Sequence, residues 1–256
     1  MKKIYCLFLF LFLSTLSFAE SRDTSFTANL IDGEKANKIK ISFNSVEREK
    51  AVMHIFTFTI DGIKYIDSTD GGIDEFTVLI MDIDKDDDYK EIVLQSFEEP
   101  EIYYNIFRYN SKKILNLGEA RSMDELILKG DGILRATGWM GFWSYKYEYE
   151  LNNKNKFEAK YKDTYDIKFE EGVPTLITVE EGFNLYKDKD KKSDVVVKLK
   201  KGDKFEFVKA FINIKNCENE LKDLCFWYLL KKKNGDKGWI QLKDFQNKVT
   251  GIPWAG

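Results

Sequence analysis

The residues best supplied to do chemistry in this chain are carboxylates. From Met81 it reads Met-Asp-Ile-Asp-Lys-Asp-Asp-Asp-Tyr-Lys-Glu-Ile-Val-Leu, so Asp82, Asp84, Asp86 and Asp88 alternate and Glu91 follows at the head of an apolar run. Residues two apart in a tight loop can turn their carboxylates onto one hard cation, and calcium takes about six to eight oxygens at roughly 2.3–2.6 Å. The other reading of the same stretch is a solvated acidic turn between strands. Other chemistries have few residues to work with. A single histidine, His54, excludes most histidine-based catalysis, and neither Gly-x-Ser-x-Gly nor His-Glu-x-x-His occurs. Carboxylate pairs or a Ser/Lys arrangement remain, but carboxylates are so abundant that their presence discriminates nothing, and the chain reads as non-catalytic.

The elements that must position these residues are strands. In 52–60 the even positions Val52, His54, Phe56, Phe58 and Ile60 share one face, and the turn-forming Asp61-Gly62 follows. His54 therefore reads as a packed, hydrogen-bonded side chain. Further strands are expected at Phe76 to Met81, Glu91 to Gln95, Tyr103 to Tyr109 and Trp143 to Tyr149, with turns at Asp70-Gly71-Gly72, Asn110-Ser111 and Gly130-Asp131-Gly132. No long helix is expected, only a turn near Ser122 to Leu126. In the strand at 143–149, Trp143, Tyr145, Tyr147 and Tyr149 share a face opposite Ser144, Lys146 and Glu148; such a ladder either stacks on sugar rings or is buried by the sheet, and the polar opposite face favours burial.

The N-terminus sets the compartment. Met1-Lys2-Lys3, the apolar run Ile4 to Leu13 and the small residues before Ala19 read as a cleaved signal peptide over residues 1–19, so an exported protein, periplasmic or extracellular, is expected, with no membrane-spanning segment after cleavage. Residues 20–172 carry 21 basic and 31 acidic groups, whereas residues 173–256 carry 17 lysines, no arginine and 12 acids. The sign change, with Gly172 and Pro174 beside it, marks an expected boundary between an acidic domain (20–172) and a basic one (173–256). In a chain bound for an oxidising compartment, Cys217 and Cys225 read as a local disulfide, a staple of about 2–3 kcal/mol in the chain-entropy picture. No cofactor is required by any motif. A modest lysine excess without arginine clusters favours anionic polymers and gives little reason to expect nucleic acid.

Two resemblances complete the reading. The 81–94 stretch resembles the Asp-rich loops of FG-GAP and VCBS-type repeats of extracellular bacterial proteins, with Asp82, Asp84 and Asp86 at the first three ligand positions. Asp88 would add a further oxygen, and Glu91 stands near the final acidic position. It departs from them in having Asp87 where the repeats have glycine and in placing Glu91 one residue late. A fainter copy without the alternate carboxylates, Ala28 to Ile41, suggests repeated β-units. About 40–50 residues per blade would allow three blades at most, so a partial propeller or twisted antiparallel sheet is expected. The stretches 183–208 and 226–240, closing on Gly238-Trp239-Ile240, resemble the bacterial SH3-like (SH3b) pattern with an insertion from Phe211 to Leu224. Together these imply a mainly β protein: an N-terminal antiparallel sheet domain followed by a small SH3-like barrel. The SH3b resemblance implies a non-catalytic module that binds peptidoglycan or another envelope ligand, a polymer or an envelope protein. Tyr186, Trp227 and the loop Lys187 to Lys192 would form its groove, with Trp239 in the core. A secreted inhibitor of cell-wall lytic enzymes is the second reading, resting on the acidic domain.

Overall fold

The computed structural model describes residues 21–48, 51–70, 76–169, 172, 175–212 and 222–254. The expected signal peptide, the Gly71-Gly72 turn, Cys217 and most of the 211–224 insertion lie outside them. The chain is mainly β and its sheets are antiparallel.

Three consecutive four-stranded meanders come first. The first comprises β1 (Ser21–Ala28), β2 (Asn37–Arg48), β3 (Ala51–Ile60) and β4 (Ile63–Asp70). The second comprises β5 (Phe76–Met81), β6 (Glu91–Glu98), β7 (Glu101–Tyr109) and β8 (Ile114–Ser122). The third comprises β9 (Ile127–Leu128), β10 (Leu134–Trp139), β11 (Ser144–Leu151) and β12 (Phe157–Lys160). Each runs in chain order because short turns join neighbouring strands. At the β3–β4 hairpin both turn residues, Asp61 (φ 47°) and Gly62 (φ 88°), take the left-handed conformation that a two-residue connection between twisted strands demands. The expected helical turn after Ser122 is a pair of bends, since β8 runs through Ser122 and the chain then crosses to β9.

The meanders pack face to face, and strand β6 shows why its sequence is a continuous apolar run. Ile92 and Leu94 point into a core shared with Ile39, Ile41, Phe56 and Phe58 of the first sheet. Val93, one residue out of phase, points into a second core with Leu134, Ala136, Tyr147 and Tyr149 of the third. A strand covered on both faces cannot alternate with polar residues. The expected inward face of β3 is observed for His54, Phe56, Phe58 and Ile60, all buried, with His54 edge-on to Phe76 at 6.0 Å.

The remaining strands form one larger sheet: β13 (Thr164–Asp166), β14 (Ile177–Val179), β15 (Phe183–Tyr186), β16 (Val195–Leu199), β17 (Lys204–Phe211), β18 (Trp227–Lys232), β19 (Lys237–Gln241) and β20 (Val249–Thr250), with the short helix α1 (Leu242–Phe245). Its order is β16-β15-β19-β18-β17-β14-β20, and β13 pairs with β17. The path has two ends, so the sheet is not a closed barrel: β16 and β20 are not paired to one another, and β20 has only two residues. Its inner face buries Leu185, Phe205, Phe207, Tyr228, Ile240 and Phe245, together with Phe142 and Trp143 from the β10–β11 turn. Among the described residues no helix is long and apolar enough to cross a membrane.

Candidate functional site

The Asp-rich loop connects β5 to β6 and is the middle one of three equivalent loops, each between the first and second strands of a meander. Backbone bonds chain them together. On one side the Asp32 amide donates to the Asp88 carbonyl at 2.8 Å and the Lys90 amide to the Leu30 carbonyl at 2.9 Å. On the other the Lys85 amide donates to the Gly130 carbonyl at 3.1 Å and the Gly132 amide to the Ile83 carbonyl at 3.0 Å. The faint copy seen at 28–41 is thus the corresponding loop of the first meander.

Within the loop two carboxylates, Asp84 and Asp87, are spent on the loop's own backbone. Asp84 Oδ1 accepts from the Asp86 amide at 3.1 Å, and Asp87 Oδ1 accepts from the Tyr89 amide at 2.9 Å. Asp86 and Asp88 are exposed, and Asp82 Oδ1 is buried with no hydrogen-bond partner. Glu91 points elsewhere. Its side chain is 0% exposed and pairs with Arg108 of β7, its cross-strand neighbour, whose Nε donates to Glu91 Oε1 at 2.8 Å while Nη2 bonds the same oxygen. The Ile83 amide donates to Glu91 Oε2 at 3.3 Å. Arg108 also reaches Asp87 at 2.9 Å and lies over the Tyr89 ring. Burial pushes the Glu91 carboxyl above its ordinary range, and Arg108 opposes that shift. Among the described residues no group of three or more Asp, Glu, His or Cys side chains could hold a metal ion. Arg108, missed at the sequence level, had one signal: a lone arginine among the large apolar residues of 102–109.

The aromatic strand is mostly interior. Trp143, Tyr147 and Tyr149 are buried, and the Tyr147 hydroxyl donates to the Arg121 carbonyl at 2.7 Å. Tyr161 is exposed but stacks on Tyr147, with ring centroids 4.9 Å apart. Burial raises the hydroxyl pKa of Tyr145 and Tyr147, as expected for rings packed in a core. Trp143 carries the series into the C-terminal core, where its Nε1 donates to the Tyr228 hydroxyl at 3.4 Å.

The large sheet exposes a different surface. In β19 Gly238 and Ile240 are buried and Trp239 between them is half-buried, facing outward. It is paired across the strands with Tyr186 on one side and Leu229 on the other. Gly238 is required by close approach: a Cβ there would lie 2.7 Å from Leu185 Cβ and 3.0 Å from the Tyr186 carbonyl oxygen. Lys189, from the charged loop between β15 and β16, places Nζ 5.1 Å from the Trp239 ring centroid and 4.2 Å from that of Phe211. One expectation is thereby corrected: Trp239, expected in the core, stands at the surface because strand alternation puts its neighbours inside. Trp227, expected in the groove, shares that outward face through the pairing of Leu229 with Trp239, and is 6% exposed. Tyr186 is half-buried on the same face. Cys225 is disulfide-bonded, while Cys217, its expected partner, lies outside the described residues.

Beside Tyr186 a cleft of 520 Å3 opens between the β15–β16 hairpin and α1, lined by Asn184, Lys191, Lys198, Lys200, Asp244 and Lys248 among others. Comparison of the chain with protein-family models, curated proteins and solved structures finds no match in any of the three.

Proposed function

We propose that this is a non-catalytic exported cell-envelope protein whose C-terminal sheet, a variant of the bacterial SH3-like module, binds peptidoglycan or another envelope ligand. In this reading the three meanders form a partial propeller, each acting as one blade. The observation that carries the binding role is the outward pair Tyr186–Trp239, with Lys189 over the tryptophan ring. Half-buried rings held on a rigid sheet, with a cation reached over one of them, suit a ligand that offers flat or aliphatic surface together with polar groups. Calcium has no part in this surface, and the ordered supply of carboxylates in the Asp-rich loop is read as a structural turn.

Co-sedimentation of the purified protein with isolated peptidoglycan sacculi tests the reading. Pelleting is expected, and reduced pelleting of the Trp239→Ala variant at unchanged melting temperature. No pelleting of the unaltered protein overturns it, and inhibition of a panel of muramidases and amidases would then favour a secreted inhibitor.

A further inference from the structure

We propose that the cleft beside Tyr186 is a subsite for the anionic oxygens of a polymer, a phosphate-bearing or carboxylate-bearing chain, so that the module grips a charged strand as well as the surface that its aromatic pair contacts. The inference rests on reading the C-terminal sheet as a binding module.

The charge arrangement carries it. Four lysines from three separate segments converge on the 520 Å3 cleft: Lys191 from the β15–β16 loop, Lys198 and Lys200 from the end of β16, and Lys248 from the turn after α1. Among the described residues one carboxylate, Asp244, lines it. Two of the lysines are neutralised locally, Lys191 by Asp244 at 2.7 Å and Lys248 by Glu181 at 3.2 Å. Lys198 and Lys200 have no carboxylate within salt-bridge distance among the described residues. Some other lysines near the sheet find one, Lys201 with Glu180, Lys209 with Asp166, Lys231 with Glu206 and Lys232 with Asp203, but Lys198 is distinguished by standing in a cleft beside three further lysines. At the β16 wall of the cleft Lys198 therefore has no carboxylate partner among the described residues, and Lys200 has only the nearby Asp203, which Lys232 already pairs. Asn184 is the cross-strand partner of Lys198, so an amide stands beside it. Tyr186 lines the same cleft and belongs to the outward aromatic pair, which makes the two surfaces continuous. A concave, partly walled site screens charge less than open surface does, so a multivalent anion gains more here than from scattered lysines.

The test uses the purified protein with fluorescently labelled polyphosphate and polygalacturonate, and labelled dextran as the neutral control, read by anisotropy. At least one polyanion is expected to bind where dextran does not, and whichever binds more tightly identifies phosphate or carboxylate as the group taken. The double change Lys198→Ala with Lys200→Ala is expected to lower that affinity about tenfold and flatten its salt dependence. Lys38→Ala with Lys64→Ala, on the first sheet, should leave both as they were. Equal affinity of the Lys198/Lys200 variant and the unaltered protein, at matched melting temperature, overturns the proposal, as does binding of neither polyanion above the dextran level. Sacculi stripped of anionic polymers separate the two readings: the unaltered protein and the Lys198/Lys200 variant should pellet with them alike, whereas failure of the unaltered protein to pellet with either intact or stripped sacculi sinks the module reading itself.

Discussion

Arg108 and Glu91 face each other across β6 and β7, so the carboxylate that a calcium-binding reading of the loop would use as its last ligand is held by a guanidinium. The guanidinium serves two carboxylates at once, the fully buried Glu91 and the half-buried Asp87, so it ties the end of the loop to the strand beneath it.

Removing Arg108 should therefore strand a buried charge. Arg108→Met is expected to lower stability by about 3–5 kcal/mol at neutral pH, the usual result when one partner of a buried pair is deleted. The pH dependence has a definite sign. Burial raises the folded-state pKa of Glu91 above its unfolded value and Arg108 opposes that shift, so deleting Arg108 raises it further; the destabilisation then grows as pH climbs from the ordinary carboxylate range toward the folded-state pKa and shrinks on acidification. Urea melts of the variant and the unaltered protein from pH 4 to 8 check this; a penalty that does not shrink on acidification would contradict it.

The same geometry bears on calcium. With Asp84 and Asp87 capping backbone amides and Glu91 turned to Arg108, the loop is closed by its own hydrogen bonds. Millimolar calcium or an excess of EDTA should leave the melting temperature unchanged, whereas a bound ion would raise it with concentration. Differential scanning calorimetry decides between them.

The two tryptophans of the C-terminal sheet should respond in opposite ways. Trp227→Ala empties a buried position and is expected to cost about 3–5 kcal/mol. Trp239→Ala is expected to cost less than about 1.5 kcal/mol while lowering ligand retention. Chemical denaturation of both variants, beside sacculus binding, measures the difference.

Gly238→Ala tests the contact that brings Tyr186 and Trp239 together. Its methyl group would press on Leu185, Val196 and the Tyr186 carbonyl, forcing β15 away from β19 at the one position where the two strands pair. A loss of about 1–3 kcal/mol is expected, accompanied by weaker pelleting with sacculi.

Much of this architecture was legible in the sequence, and the exceptions share a cause. Period-two alternation in 52–60 located β3 and its inward face, because a sheet with one covered side imposes that pattern. The Ala28 to Ile41 echo pointed to repeated units, since loops in equivalent positions carry similar residues. What local pattern could not supply was pairing at a distance. The partner of Glu91 lies 17 residues on, and nothing short-range announces that Arg108 turns toward it. Trp227 and Trp239 both sit in apolar strands and share the outward face, so nothing in the local pattern tells that the first is covered and the second half-buried. The cleft is harder still to foresee, because its lysines come from a strand end, a loop and a turn that meet only in the folded sheet.

The turn that carries Phe142 and Trp143 belongs by connectivity to the third meander and by packing to the core of the large sheet. The third meander is in turn joined to the second, and the second to the first, through shared cores. A cut or a melt confined to one end of such a chain of interlocked cores would expose apolar surface on its neighbour. Heat should therefore dismantle the protein in a single transition rather than shed its basic portion first, and a limited protease should find no stable fragment ending near residue 170.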